Sequence, residues 1–498
     1  MDSSGYYKIL EYKYISFLVI ASIYFISIIL VNIYYKIKYR EKIFEKRKIS
    51  KVQIVVLLYW IINIISTIFS PFASKYNLLI GTGRGEGLIN ISLYVWSFLC
   101  ITIYGKFKEE HIKTIILSAL LFSTVALIQF IGFNPYNIFR DGMGIHNLSF
   151  MGTIGNINFI AAFYSITLTI SVAYIIFNEK IKEEGNKIKY IICYLAVFTS
   201  YIIFQVINVN SIRVGIICTL LIYLPYILFN NIYLSKFLKV LTVVMLAYVF
   251  NLIVNPTYVQ ELNKIVLDFK LDLRGIIFAV LAIMLYVLSN IVEKYKYDII
   301  NKKNIIRYAV IFVVIVVLVL TIIYAVDLGE GYKLIYEIHE IMHGNLDDRF
   351  GTFRLFLYKR TIQLADEYTL LGTGADSFAI RFMEKYEDDI KQIGPLTIND
   401  NSGNVYLTML INIGVIGMLT YILFLILMIA KYLKNKKING LNKESIIIMS
   451  GIICYLIQDL FNLWVVIVTP VFWSTIAVLY LSLKKEKIYE ERNETNKK

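Results

Sequence analysis

About thirteen apolar runs, each some 16–28 residues long, fill most of this 498-residue chain, and they limit what it can fold into. A run of roughly 18 apolar residues is long enough to cross a bilayer as a helix. Hydrocarbon offers no partner to backbone N–H and C=O groups, so each run must close its own hydrogen bonds as a helix. The runs fall at 15–33, 52–70, 88–104, 114–133, 157–177, 190–207, 213–229, 238–254, 274–292, 308–326, 404–430, 446–463 and 464–483. The fold expected is an all-α polytopic membrane protein with about 12–14 transmembrane helices. Only 17% of residues are charged, against about a quarter in soluble domains. The first run follows Lys8 and Lys13 without a small-residue cleavage site, so it is read as a retained helix and not as a signal peptide.

The exception to this pattern is 327–403, a long polar stretch between apolar runs. Lysine and arginine place it on one side. Of the 50 basic residues, 33 fall in 34–51, 105–113, 178–189, 230–239, 293–307, 431–445 and 484–498, the loops and tail of one side. The other side holds 17, of which 8 lie in 327–403. Short cytoplasmic loops carry the excess of Lys and Arg, so the long loop is expected outside the cytoplasm of a multi-pass cell-membrane protein. The formal net charge of +14 is therefore topological, and no nucleic-acid partner is read from it. The organisation expected is helices over 1–326, an extracytoplasmic loop over 327–403, further helices over 404–483 and a charged cytoplasmic tail over 484–498.

Several polar elements punctuate the outer side. LIGTGRGEG at 79–87 is rich in glycine and carries Arg84 just before an apolar run. Such a segment can turn backbone N–H groups toward an anion at a helix start, but it matches no phosphate-loop pattern. The stretch 134–158 contains Arg140, His146, Asn156 and Asn158. In NVNSIR at 208–213, Arg213 either snorkels at its helix end or aims a guanidinium into a water-filled cavity, where it could grip phosphate in bidentate fashion. Apolar spacing predicts helices over 332–342 and 354–368 within the long loop. The loop has 14 Asp/Glu, yet Arg349, Arg354, Lys359 and Arg360 cluster in it. His339-Glu340-Ile341-Met342-His343 is a literal HExxH, whose histidines would lie one helical turn apart as zinc ligands do. Only His111 and His146 could add a third histidine, so a polar helix ending at Gly344 is the preferred reading. The four cysteines lie inside apolar runs without CxxC spacing and read as packing residues.

Taken together, ordered segments resemble the O-antigen ligase/polymerase superfamily of envelope glycan enzymes. GNLDDRFGTFRLFLYKRT at 344–361 is similar to the family's "G…GSGRxxxW" segment, with Arg354 on its arginine and Tyr358 on its aromatic. LLGTGADSF at 370–378 is similar to "LLGxGxxxF", and DNSGNVYLTMLINIGVIG at 400–417 to "DxxHNxYLxxLxxxGxxG". GTIGNIN at 152–158, SIRVG at 211–215, QDLFN at 458–462 and PVFW at 470–473 resemble further family elements. Gly403 stands where the family has a histidine implicated in ligase catalysis.

The resemblance implies a polyprenyl-diphosphate-linked oligosaccharide donor and a glycan or lipid acceptor, joined at the outer membrane face. Energy resides in the donor, so no cofactor and no metal are expected. Arg354 and Asp400 are the candidate catalytic residues. Arg84, Arg213, Arg354, Asn156, Asn158 and Asn404 are the candidate diphosphate- and substrate-binding residues. Asp400 could serve as base or as a helix cap, and His339 or His343 could serve as base instead. Asp459, inside an apolar run, is a functional candidate by position, or pairs with Gln458. Two other readings stay open: a transporter or flippase of envelope precursors, and a non-catalytic scaffold of a polysaccharide assembly machine.

Overall fold

The computed structural model describes residues 9–39, 49–72, 75–81, 84–133, 151–178, 187–259, 264–270, 272–295, 302–326, 329, 333–367, 370–393, 400–439 and 442–484. In chain order these form α1 (Ile9–Tyr39), α2 (Lys51–Ile68), α3 (Lys75–Ile80), α4 (Leu88–Tyr104), α5 (Glu110–Phe130), α6 (Ile157–Phe177), α7 (Lys187–Ile207), α8 (Asn210–Leu228), α9 (Asn231–Ile253), β1 (Val254–Val259) and β2 (Lys264–Phe269). There follow α10 (Leu273–Lys294), α11 (Lys302–Ala325), α12 (Lys333–Met342), α13 (Arg354–Ala365), α14 (Phe378–Ile393), α15 (Val405–Asn439), α16 (Lys443–Gln458) and α17 (Thr469–Ser482).

The fold is an all-α polytopic membrane fold. Among the described residues ten helices are long and apolar enough to cross a bilayer, and Leu88–Tyr104, Val316–Ala325 and Thr469–Ser482 are shorter apolar helices. Each overlaps one of the apolar runs read from the sequence. The helix starts have local causes. Ser50 and Gln53 form a capping box at α2, and Asn156, Asn230, Asp272 and Asn442 cap α6, α9, α10 and α16 with side-chain oxygens. Each satisfies a backbone N–H that a helix start otherwise orphans.

One feature departs from an all-helical chain. β1 and β2 pair antiparallel, with Val254 opposite Phe269 and Val259 opposite Lys264, and prolong the α9–α10 hairpin. Pro256 and its neighbours Thr257, Tyr258 and Val259 account for the switch. Proline disfavours the helical region for the residue before it, and β-branched and aromatic residues suit a ribbon.

Helix α6 is the centre: 89% of its most apolar window is buried, against 6% for α1 and 17% for α10. α6 packs against α5, α7, α8, α9 and α16, while α15 lies on α2 and α17 on α4. Lipid tails are as apolar as leucine, so this burial gains close packing and aromatic contact more than it gains removal from water. Trp473 on α17 supplies much of that contact, 5.5 Å from Phe424 and 6.5 Å from Tyr94 between ring centroids.

Helix ends gather at two opposite ends of the bundle. At one, Tyr174 donates to Glu109 at 2.7 Å and Lys239 pairs with Glu293 at 2.7 Å. At the other, Arg84 just before α4 meets Asp400 and Phe159 of α6, and Arg354 and Tyr358 meet the Phe461 and Leu460 carbonyls after α16.

The polar stretch has a core of its own. Phe356, Leu364, Phe378, Phe382 and Ile390 pack together and onto Ile411 of α15. Its deepest anchor is a break in α15 at Gly414, whose φ of 68° and ψ of −177° leave the helix. The segment 370–374 fills that break. Thr373 and Gly374 donate their N–H groups to the carbonyls of Ile411 and Asn412 at 2.9 and 2.8 Å, and Ile416 donates to Leu370 at 3.3 Å. A helix can be interrupted at membrane depth only if the freed backbone groups find partners, and here the loop supplies them.

Candidate functional site

A pocket with a mixed apolar and polar lining lies where the loop meets the bundle. Its empty space, counting the open mouth, is about 640 Å³. The floor is Tyr59 of α2 and Trp464, and the polar wall includes Asn63, Arg84, Glu86, Asp376, Asp400 and Asn412. These come from five separated stretches of chain, so folding alone assembles them.

Arg84 and Asp400 meet across this pocket. Arg84 Nε donates to Asp400 Oδ2 and its Nη2 donates to Oδ1 at 3.1 Å. The two side chains are 23% and 13% exposed. The guanidinium also stands 5.2 Å over the Phe159 ring at the start of α6. Asn401 donates to Asp400 as well. Both carboxylate oxygens are thereby engaged, so Asp400 sits in a fork-shaped ion pair and not as an isolated base. Its sequence role as a helix cap falls to Asn404, whose Oδ1 accepts from Tyr406 and Leu407 N–H at 2.9 and 3.1 Å.

Arg354 is held differently. Nη1 donates to the Gly351 carbonyl at 3.1 Å and to the Thr352 hydroxyl at 3.2 Å, and Nη2 donates to the Phe461 carbonyl at 3.2 Å. Among the described residues it forms no ion pair. The other cations of its cluster do: Arg349 with Asp347, Lys359 with Asp348, and Arg360 with Asp348 and Asp389. Beside Arg354, Tyr358 donates to the Leu460 carbonyl at 3.0 Å. Burial pushes the Tyr358 phenol up, although the Arg354 guanidinium pulls the other way. Gly403 faces this arginine: a Cβ there would stand 3.7 Å from Arg354 Nε.

Neither Arg354 nor Arg213 lines the pocket; Arg213 lies elsewhere in the chain. It sits in the first turn of α8, donating to Asn210 at 3.0 Å and to Asn208, and it too forms no ion pair among the described residues. Asn156 accepts the Asn158 N–H at 2.8 Å as the α6 cap, and the Asn158 carbonyl accepts from Asn462 at 3.4 Å. These asparagines hold the start of α6 and its contact with the segment after α16, and none of them lines the pocket. Arg140 and His146 lie outside the described residues.

Two further motifs can be placed. His339 and His343 stand one turn apart on α12, ring centroids 4.2 Å apart. His339 Nδ1 contacts the Ile323 carbonyl at 2.8 Å, and His343 Nδ1 the His339 carbonyl at 2.9 Å. His343 stacks on Tyr324 at 4.3 Å. The pair thus secures α12 to the end of α11. Asp459 is buried and accepts from Trp464 Nε1 at 3.3 Å. The pairing with Gln458 expected from sequence does not form, because both amide atoms of Gln458 lack a partner among the described residues.

Sequence reading missed Glu86, Asp376 and Asn63. Glu86 is 8% exposed. Tyr94 donates to its Oε1 at 3.0 Å and the Thr469 hydroxyl lies 3.2 Å from the same oxygen, while Oε2 has no partner among the described residues. Burial holds the Glu86 carboxyl well above the ordinary carboxylate range, against the hydroxyl contacts that favour its charged form. A carboxylate two residues past Arg84, next to an apolar run, was the available signal. Asp376 adopts φ 52° and lies 2.7 Å from where a Gly81 side chain would begin, so the glycine makes room for the carboxylate.

In a comparison with known families, residues 269–422 fit the family described as O-antigen ligase. The matched segment contributes Arg354, Asp400 and the α15 break, while Arg84 and Glu86 come from outside it. No curated relative matches the chain.

Proposed function

With residues 269–422 in the O-antigen ligase family, we propose that this chain is a membrane glycosyltransferase that polymerises or ligates a polyprenyl-diphosphate-linked glycan. The reaction joins an acceptor hydroxyl to the anomeric carbon of the donor sugar and breaks the bond from that carbon to the diphosphate oxygen. Negative charge grows on the leaving diphosphate, and cations already in place lower the barrier most. The observation that carries this reading is Arg354, a guanidinium fixed by carbonyl and hydroxyl oxygens without a carboxylate. Its charge remains available to a diphosphate. Arg213, also unneutralised, is a second contact for the same group. The charge asymmetry of the loops supports an outer-face location for this end of the bundle, and exposed apolar helices such as α10 would provide surface for a polyprenyl tail.

The test is incubation of the purified protein with a lipid-linked oligosaccharide, followed by sizing of the products. Wild-type protein should lengthen or transfer the glycan, and Arg354→Ala and Arg213→Ala should leave single lipid-linked units. Unchanged product length in both variants would overturn the reading.

A further inference from the structure

The pocket holds one carboxylate that is buried, half-satisfied and not charge-paired. Asp400 is neutralised by Arg84, and Asp459 packs within the bundle against Trp464. Glu86 instead lines the pocket with Oε2 unpartnered. Its other oxygen is fixed by Tyr94 of α4 and Thr469 of α17. Asn63 Oδ1, fully buried in the same wall, is also unpartnered among the described residues. Two buried acceptors without donors leave places for hydroxyl hydrogens. A carbohydrate supplies such hydrogens.

We infer that Glu86 is the proton acceptor for the attacking hydroxyl, with Asn63 helping to orient that hydroxyl. This rests on the glycosyl-transfer reading above. As the oxygen–carbon bond forms, the hydroxyl proton passes to Glu86 Oε2. The bonding pair of the breaking carbon–oxygen bond leaves with the diphosphate, so charge and protons balance. Glu86 then returns its proton to solvent through the open mouth of the pocket. One short segment carries both Glu86 and Arg84, and Arg84 engages both carboxylate oxygens of Asp400, which leaves Glu86 as the carboxylate open to a hydroxyl.

A base of this kind is active in its ionised form, so turnover rises with pH through the Glu86 titration. That titration lies above the usual glutamate range because of burial. The groups facing Glu86 are Tyr94, Thr469 and Asp376, with Tyr59 of α2 and Tyr455 of α16 in electrostatic reach and the Arg84–Asp400 pair across the pocket.

Glu86→Gln keeps the acceptor for Tyr94 and removes the base. With full-length protein and a lipid-linked oligosaccharide, kcat should fall roughly 100-fold or more, with donor KM within about threefold and with the pH-dependent limb abolished. Tyr94→Phe removes a bond to the carboxylate and should move that limb to higher pH while leaving a slow enzyme. If wild-type protein neither lengthens nor transfers the glycan, the glycosyl-transfer reading fails. If it does and Glu86→Gln keeps kcat and the same pH limb, only the Glu86 assignment fails. Should Glu86→Gln not fold, an unmoved limb in Tyr94→Phe overturns the assignment by itself.

Discussion

Arg84 and Arg354 stand at the same end of the bundle, and each is fixed by at least two donated hydrogen bonds. Their electrostatic states are opposite. Arg84 spends its charge on Asp400, a residue 316 positions away. Arg354 is positioned by the carbonyls of Gly351 and Phe461 and the hydroxyl of Thr352, which orient a guanidinium without cancelling it. A neutralised arginine closes a structure, whereas an oriented and unneutralised one is ready for an anion. Sequence alone made both of them phosphate ligands. The structure makes the first a latch between the start of α4 and the end of the loop, and among the described residues it leaves the second, like Arg213, without a carboxylate partner.

The largest effect should therefore come from Arg354. Arg354→Ala should lower transfer by roughly 100- to 1000-fold, the scale seen when one preorganised stabiliser of developing charge is removed. Arg354→Lys should recover little, because an ammonium cannot span the three acceptors that a planar fork reaches. Thermal stability in detergent should change little in either, since no carboxylate is orphaned. A lysine variant with near-normal rates would mean that Arg354 acts by bulk charge and not by orientation.

The loop that carries Arg354 and Asp400 is anchored by the docking of 370–374 into the α15 break. Gly414 occupies a backbone region essentially reserved for glycine, where another residue costs about 1–3 kcal/mol from strain. A side chain there would also overlap the Leu370 carbonyl. Gly414→Ala is expected to destabilise the protein by about 3 kcal/mol in all and to lower its unfolding temperature in detergent. An unaltered melt would show that the loop does not need the break to dock.

The latch should show its character in a double-mutant cycle. Removing one partner of a buried pair leaves an uncompensated charge, at a cost of about 3–5 kcal/mol. With Arg84 and Asp400 at 23% and 13% exposure, solvent screening reduces this to about 2 kcal/mol. Arg84→Met and Asp400→Leu should each destabilise by that amount, and the double variant should be milder than either. Additive losses would place the two in separate roles and return Asp400 to the list of free bases.

The helices were legible because membrane length and backbone satisfaction leave few choices. The run at 157–177 coincides with α6 at both ends, helped by Asn156 as a visible cap. Amphipathic spacing also anticipated α12 and α13. The β1–β2 ribbon was not legible, because its residues adjoin a long apolar helix and only Pro256 marks the change. The Arg84–Asp400 pairing was hidden for a different reason: no local pattern reports which of several outer arginines meets which carboxylate. Glu86 was overlooked since its chemistry depends on burial beside Tyr94 of α4 and on Thr469, which lies 383 positions away. The resemblance motifs marked Leu370–Phe378 and Asp400–Gly417 as separate, whereas the backbone bonds between them make one unit.

The smallest effect should come from the third arrangement of an arginine in this region. Arg349 pairs with Asp347 in full view of solvent, at 2.7 Å between Nη2 and Oδ2, with the arginine side chain 77% exposed. The Arg349 side-chain and backbone bonds hold the Asp347 carboxyl down at about 2, below its ordinary 3.8. A depressed carboxylate stabilises the fold above the unfolded value of 3.8 and loses that contribution as pH falls through about 2. At neutral pH nothing of this titrates. Arg349→Ala should raise the Asp347 midpoint toward 3.8 in a carboxyl NMR titration, while transfer activity stays within about twofold, because exposed pairs contribute little. An unmoved midpoint would deny the pair its electrostatic coupling. A collapse of activity comparable to Arg354→Ala would extend the anion-binding surface along the loop and dissolve the distinction between paired and unpaired arginines.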